Sequence, residues 1–193
     1  MYLISAYFDE NTNKILKHLQ QRIADKTGND FMIRNNVMPH LTISAIEARN
    51  IDVLIPEFEK VCRGKLQPLE EKSVANNTIN IVSLGQLFPR VIYAAPVLNE
   101  YMMNLSISIY NEFATIPETN ISKFYQPYSW MPHITLGKCL DKEQMRQAFA
   151  VLQDLFMPID GRITKIGLST VNPYREVMSV ASVSYTHLTL PTT

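Results

Sequence analysis

Met38-Pro39-His40-Leu41-Thr42-Ile43-Ser44 returns 93 residues later as Met131-Pro132-His133-Ile134-Thr135-Leu136-Gly137. Met, Pro, His and Thr are kept, and the two aliphatic positions exchange Leu for Ile and Ile for Leu. One heptapeptide carries little weight alone. Similarity at a fixed offset that extends through the flanking elements indicates an internal repeat.

The flanks repeat in order. Before the first copy lie a strand-like Tyr2 to Phe8 and a helix-like stretch from about Thr12 to Lys26, with Ile15, Leu16, Leu19 and Ile23 at helical spacing and Gly28 as a stop. Before the second lie a strand-like Arg90 to Ala95 and a helix-like Val97 to Phe113. After the copies, Asn50 and Asp141 are placed to cap helices running towards Val61 and Phe156, the first closed by Gly64. Each half then ends in two extended segments, Lys65 to Val74 and Thr78 to Leu84 against Gly161 to Val171 and Tyr174 to Val180, with the join near Gly85 to Pro89. Both halves therefore read strand, helix, strand, helix, strand, strand, with repeats of about 1–84 and 90–183. We expect an α+β fold of two similar lobes, each an antiparallel-rich sheet covered by helices, facing across a central cleft that the repeated motif lines twice.

On a strand, alternate side chains share a face, so His40, Thr42 and Ser44 should point one way while Leu41 and Ile43 point into the core. His133 and Thr135 repeat the pattern, with Gly137 in the place of Ser44. An imidazole beside a hydroxyl on a rigid mount suits phosphoryl oxygens. Histidine titrates near neutrality, so of two imidazoles one can accept a proton while the other donates one. Displacement at phosphorus has entering and leaving oxygens on opposite sides, which a base and an acid flanking the phosphate would serve while the threonine hydroxyls steady the equatorial oxygens.

The bulk properties narrow the class. A hydrophobic share of 46% over 193 residues is ordinary for a chain that encloses a core without disulfides. Cys62 and Cys139 lack CxxC spacing, which points to a reducing, cytoplasmic compartment. The N-terminus has no basic region and no segment is apolar enough to span a bilayer, so we expect no membrane association. Eighteen basic residues balance eighteen acidic ones, leaving no basic footprint for a long duplex. A small phosphorylated nucleotide or an RNA end is the partner expected, bound by a monomer.

The paired Pro-His-Leu-Thr and Pro-His-Ile-Thr strands resemble the signature of the 2H phosphoesterase superfamily, especially its 2′-5′ RNA ligase-like members. The resemblance implies a bilobal, pseudo-two-fold α+β fold with the active site between lobes. It also implies chemistry without metal or cofactor on 2′,3′-cyclic phosphates or 2′-5′ linkages. On that likeness His40 and His133 are the catalytic histidines, and Thr42 and Thr135 the phosphate-binding hydroxyls. Many RNA ligase-like members carry an arginine shortly after the second threonine, where this chain has Lys138. Lysine keeps the charge and loses the bidentate fork, which favours hydrolysis over reversible 2′-5′ ligation and makes Lys138 a candidate ligand. The competing reading is a module that retains nucleotides or RNA ends in the same cleft without turning them over.

Other residues have both a functional and a plain reading. In Phe124-Tyr125-Gln126-Pro127-Tyr128-Ser129-Trp130, Tyr128 and Trp130 are candidates to stack on a base, although such rings also close cores over loops. Arg34 and His18 read as solvated surface. A zinc site from His133, Cys139 and His40 is disfavoured, because residues 133 and 139 on one strand would stand about 20 Å apart at about 3.3 Å per residue. The final Ser184 to Thr193 contains a third His-x-Thr without the preceding Met-Pro and resembles a translated adapter sequence. We therefore expect it to be a non-native tail and the native chain to end near Ala181 to Val183.

Overall fold

A computed structural model describes residues 1–66, 77–171 and 174–181, with side chains over the same ranges except 63–66. Of the expected extended segment Lys65 to Val74, Lys65 and Leu66 end a helix instead, and the remainder, like the tail from Ser184, lies outside the described residues.

The first half builds β1 (Tyr2–Phe8), α1 (Glu10–Thr27), the single turn α2 (Phe31–Arg34), β2 (Leu41–Glu47), α3 (Ile55–Leu66) and β3 (Thr78–Leu87). The second builds β4 (Val91–Pro96), α4 (Glu100–Phe113), the short β5 (Asn120–Ile121), β6 (Ile134–Lys138), α5 (Lys142–Leu155), β7 (Ile159–Val171) and β8 (Tyr174–Ala181).

Local chemistry fixes the helix ends. The Asp9 carboxylate accepts from the Thr12 amide at 2.9 Å and starts α1, while Gly28 closes it with φ +69°, a left-handed conformation glycine adopts without steric cost. Asp141 and Gln144 form a reciprocal capping box on α5. Two boundaries differ from expectation. α4 begins at Glu100 rather than Val97, because β4 runs to Pro96 and Asn99 is the residue whose side chain caps the helix. α3 runs through Gly64 to Leu66, so Gly64 is not its stop, and Asn50 caps a 3-10 turn at Ile51–Val53 ahead of the helix.

The core lies between these helices and the sheet. Leu16, Leu19 and Ile23 of α1 are buried, each removal from water contributing roughly 1.5–3 kcal/mol, whereas Ile15 sits at the exposed margin of the stripe. α1 packs on α5 and β6, and α4 packs on β2 and α3. Each half's first helix thus covers the motif strand of the other half.

The described strands join one antiparallel network in the order β1-β2-β6-β4-β3-β7-β8, with β5 on β2. β1 also pairs with β7, which closes the first six positions of that order into a ring. The halves do not complete their own sheets. β3 pairs with β4 and β7, while β7 and β8 extend the β1–β2 pair. The short turn at Phe88–Arg90 makes β3 and β4 an antiparallel hairpin, as sequential strands tend to pair, and draws the first half's last strand beside the second half's first. Among the described residues no helix is long and apolar enough to cross a membrane.

Candidate active site

The two motif strands meet. β2 and β6 run antiparallel and share a single register pair, Leu41 with Ile134, so the residues that follow the two histidines lie side by side. Both side chains are fully buried, which turns their neighbours His40, Thr42, His133 and Thr135 to the opposite face of the sheet. In an antiparallel pair His40 and His133 are then diagonal neighbours, about 7–8 Å apart at the backbone.

Each strand carries a β-bulge at the same place in the motif. On β2 the partners step from Ser5–Thr42 to Ile4–Ser44, leaving Ile43 extra, and on β6 they step from Tyr93–Thr135 to Ile92–Gly137, leaving Leu136 extra. A bulge resets the alternation of faces. Ser44 therefore pairs with the buried Ile4 on the core side at 2% exposure, its hydroxyl without a hydrogen-bond partner among the described residues, and does not share the face of His40 and Thr42 as alternation predicts. The same reset returns Lys138, paired with Val91, to the face of Thr135. Its ammonium lies 5.8 Å from the Phe31 ring centroid.

The imidazoles are oriented alike. His40 Nδ1 lies 2.7 Å from the Met38 carbonyl oxygen, and His133 Nδ1 lies 2.9 Å from that of Met131. A carbonyl only accepts, so in the neutral ring Nδ1 carries the hydrogen and Nε2 is left as the basic nitrogen. His40 is held below the ordinary histidine range. Burial disfavours its charged form, the Met38 carbonyl opposes this in part, and the positive charges of His133 and Lys138 add to it.

Several residues of the site carry no local sequence signal. Tyr7 packs against His40 with ring centroids 6.2 Å apart, and Tyr93 meets His133 edge-on at 5.6 Å. Both rings lie over a glycine of the neighbouring strand, Tyr7 over Gly167 and Tyr93 over Gly85, where any β-carbon would collide with the ring. The β2–β6 ladder stops after one pair, and the backbone carbonyls of Thr42 and Thr135 just beyond it receive side-chain donors. The Trp130 indole donates to Thr42 at 3.0 Å and the Gln20 amide to Thr135 at 3.2 Å. Both donors are buried. Trp130, a candidate from the sequence for stacking on a base, is a core residue at 6% exposure, whereas Tyr128 is 84% exposed. Arg34 pairs with Asp30 on the surface and His18 is exposed, as expected. Among the described residues no three His, Cys, Asp or Glu side chains gather as metal ligands do.

An α+β fold built on an antiparallel sheet of this kind is known from another solved protein. The solved structure of E. coli LigT complexed with 3′-AMP is similar at a TM-score of 0.62 and 14% identity, covering 95% of this chain and 98% of that one. A structure of Kluyveromyces marxianus Usb1 with uridine monophosphate matches at a TM-score of 0.42 and 12% identity, covering 94% and 96%. A search of curated protein sequences returns no match. The family model for the 2′-5′ RNA ligase superfamily matches residues 14–172. The chain belongs to that superfamily, the 2H phosphoesterases.

Proposed function

We propose that the chain is a metal-independent phosphodiesterase that hydrolyses 2′,3′-cyclic phosphates or 2′-5′ linkages of nucleotides or RNA ends. His40 and His133 are its acid–base pair, and Thr42 and Thr135 hold the phosphate. The sheet is read as two lobes, β1-β2-β7-β8 and β3-β4-β6, with the Leu41–Ile134 seam at the base of the cleft between them. The observation that carries the proposal is the abutment of the two motif strands at that seam, with both imidazoles on one face and both Nδ1 atoms committed to backbone carbonyls.

In the hydrolytic direction, neutral His40 takes a proton from water through Nε2 as the water oxygen bonds to phosphorus. Protonated His133 gives its Nε2 proton to the ribose oxygen that leaves. The two threonine hydroxyls and Lys138 stabilise the charge on the non-bridging oxygens. The depressed His40 supports this division of labour, because a base must be neutral to act. Tyr128, exposed ahead of the second motif, offers a stacking face for a base. The 3′-AMP bound by LigT accords with a nucleotide ligand.

The test offers purified protein 2′,3′-cyclic mononucleotides and 2′-5′ oligonucleotides in EDTA. Turnover should persist, and His40→Ala and His133→Ala should each lower kcat by about 10²–10⁴-fold while nucleotide binding survives. Complete loss of activity on chelation, or undiminished activity in both variants, overturns the proposal.

A further inference from the structure

The two histidines follow the same motif, yet their neighbours differ. Leu41 pairs with Ala6 of β1 and Ile134 with Ala94 of β4, so both motif strands lie against those neighbours in matching register. One residue further along each neighbour, Tyr7 stands beside His40 where Ala95 stands beside His133. The ring that meets His133 comes instead from Tyr93, which pairs with Thr135, and its counterpart in the first half is Ser5, paired with Thr42. Each imidazole therefore has an aromatic neighbour, drawn from a non-equivalent position.

Tyr7 is fixed from several directions. Its ring covers Gly167, where a β-carbon would sit 2.9 Å from it, and the Lys165 ammonium lies 4.6 Å from the ring centroid. Its hydroxyl is 2.8 Å from that of Tyr174, and the residue is 6% exposed. Tyr93 also covers a glycine, but it is half-buried and its hydroxyl has the Met131 sulfur, at 3.9 Å, as a partner. The adjacent threonines follow suit, Thr42 being buried and Thr135 half-buried. Tyr7 itself moves no proton, because burial and the Tyr174 hydroxyl, with the Glu176 charge added, hold its phenol protonated far above the ordinary range. The groups facing His40 are Tyr7 of β1, His133 and Lys138 of β6 and, behind the Tyr7 ring, Lys165 of β7 with Tyr174 and Glu176 of β8. Lys165 and Glu176 are paired with each other at 2.8 Å, so what reaches His40 from that side is an apolar ring and no net charge.

We infer that Tyr7 is a positioning residue for His40, a fixed ring that keeps water from one side of that imidazole and so makes the two histidines of a repeated motif unequal. Burial is the largest influence holding His40 below the ordinary histidine range, and this ring supplies part of that burial. The inference rests on the proposed function only for the direction of the reaction. There the walled imidazole is the base, and the more open His133 delivers the proton to the leaving oxygen.

The experiment follows the His40 Cε1–H resonance against pH by NMR in the wild type, Tyr7→Phe and Tyr7→Ala, alongside pH profiles of 2′,3′-cyclic AMP hydrolysis. Tyr7→Ala gives His40 the neighbour that His133 has, so water reaches the imidazole and its midpoint should rise by about half a pH unit or more. Tyr7→Phe keeps the ring and loses the hydroxyl, and should leave the midpoint in place. In Tyr7→Ala the acid limb of kcat/KM should rise with the midpoint, and kcat should fall by about 10-fold at unchanged KM, because a loosened base is less often aligned. A midpoint unmoved in Tyr7→Ala, or moved as far in Tyr7→Phe, overturns the inference. If Tyr7→Ala does not fold, Tyr7→Thr, a strand former too short to reach the imidazole, is read by the same criteria. A shifted midpoint in a protein that turns over no nucleotide upholds the role of Tyr7 and defeats the proposed function instead.

Discussion

His40 is harder to protonate than an ordinary histidine, with consequences for activity and for stability. Burial and the positive charges of His133 and Lys138 outweigh the Met38 carbonyl, so the imidazole must be acidified past the ordinary histidine value of 6.5 before it protonates. If His40 is the base, the acid limb of the kcat/KM profile lies below that value. Lys138→Met, by removing one repelling charge, should move the limb upward, and a limb unmoved in that variant would separate Lys138 from the site. The same shift acts on stability. The unfolded chain binds this proton more readily, so the contribution of neutral His40 is complete above 6.5 and is lost as pH falls towards the lower folded value. His40→Gln should make denaturant midpoints less sensitive to acid over that window. The pairing of the two His-x-Thr segments was legible in the sequence because a repeated tetrad is a local signal. Lys138 was a candidate by the resemblance alone, and the faces of Ser44 and Lys138 were not legible, because strict alternation places residues 44 and 137 with the threonines while a single inserted residue reverses the faces beyond it. Tyr7, Tyr93 and Gln20 reach the site from elsewhere in the chain, and nothing in their neighbouring residues marks them.

At the scale of elements, the ends of α1 and α5 were readable from Gly28 and Asp141 because capping is decided within a few residues. Strand edges are decided by partners. The outer edge of β2 is fastened by the chain leading to the second motif: β5 pairs with Ile46 and Glu47, the Ser122 amide donates to Ala45, and Trp130 donates to Thr42. One residue pair between β2 and β6 is little to set the spacing of the two imidazoles, so this strap supplies the remainder. Trp130→Phe keeps the ring and deletes the N–H, leaving a carbonyl without that buried donor. Stability should fall by about 1–3 kcal/mol by chemical denaturation. Small shifts between reacting groups are costly, so kcat should drop by roughly 10–100-fold with little change in KM. A variant that loses stability while keeping wild-type kcat would show that the bond braces the core without setting the site.

Across the whole molecule, the internal repeat revealed which elements resemble each other and was silent on which ones pair. The expectation that each half finishes its own sheet followed from chain order, and the β3–β4 hairpin overrides it because adjacent antiparallel strands close with so short a turn. Every ladder of β3, the β1–β7 ladder and the β2–β5 and β2–β6 contacts join residues on opposite sides of Phe88–Arg90. The helices repeat this exchange, α1 covering β6 and α4 covering β2. A chain nicked within Phe88–Arg90, where Phe88 is 74% exposed, should therefore migrate as one particle in gel filtration and come apart only in denaturant.

That interlacing makes the protein a natural candidate for fragment complementation. Two polypeptides divided at the hairpin tip would each be born with unsatisfied strand edges and a motif strand lacking its helical cover, and so should be insoluble when expressed singly. Co-expressed, they would have to find one another to fold, and recovered turnover would report that encounter directly.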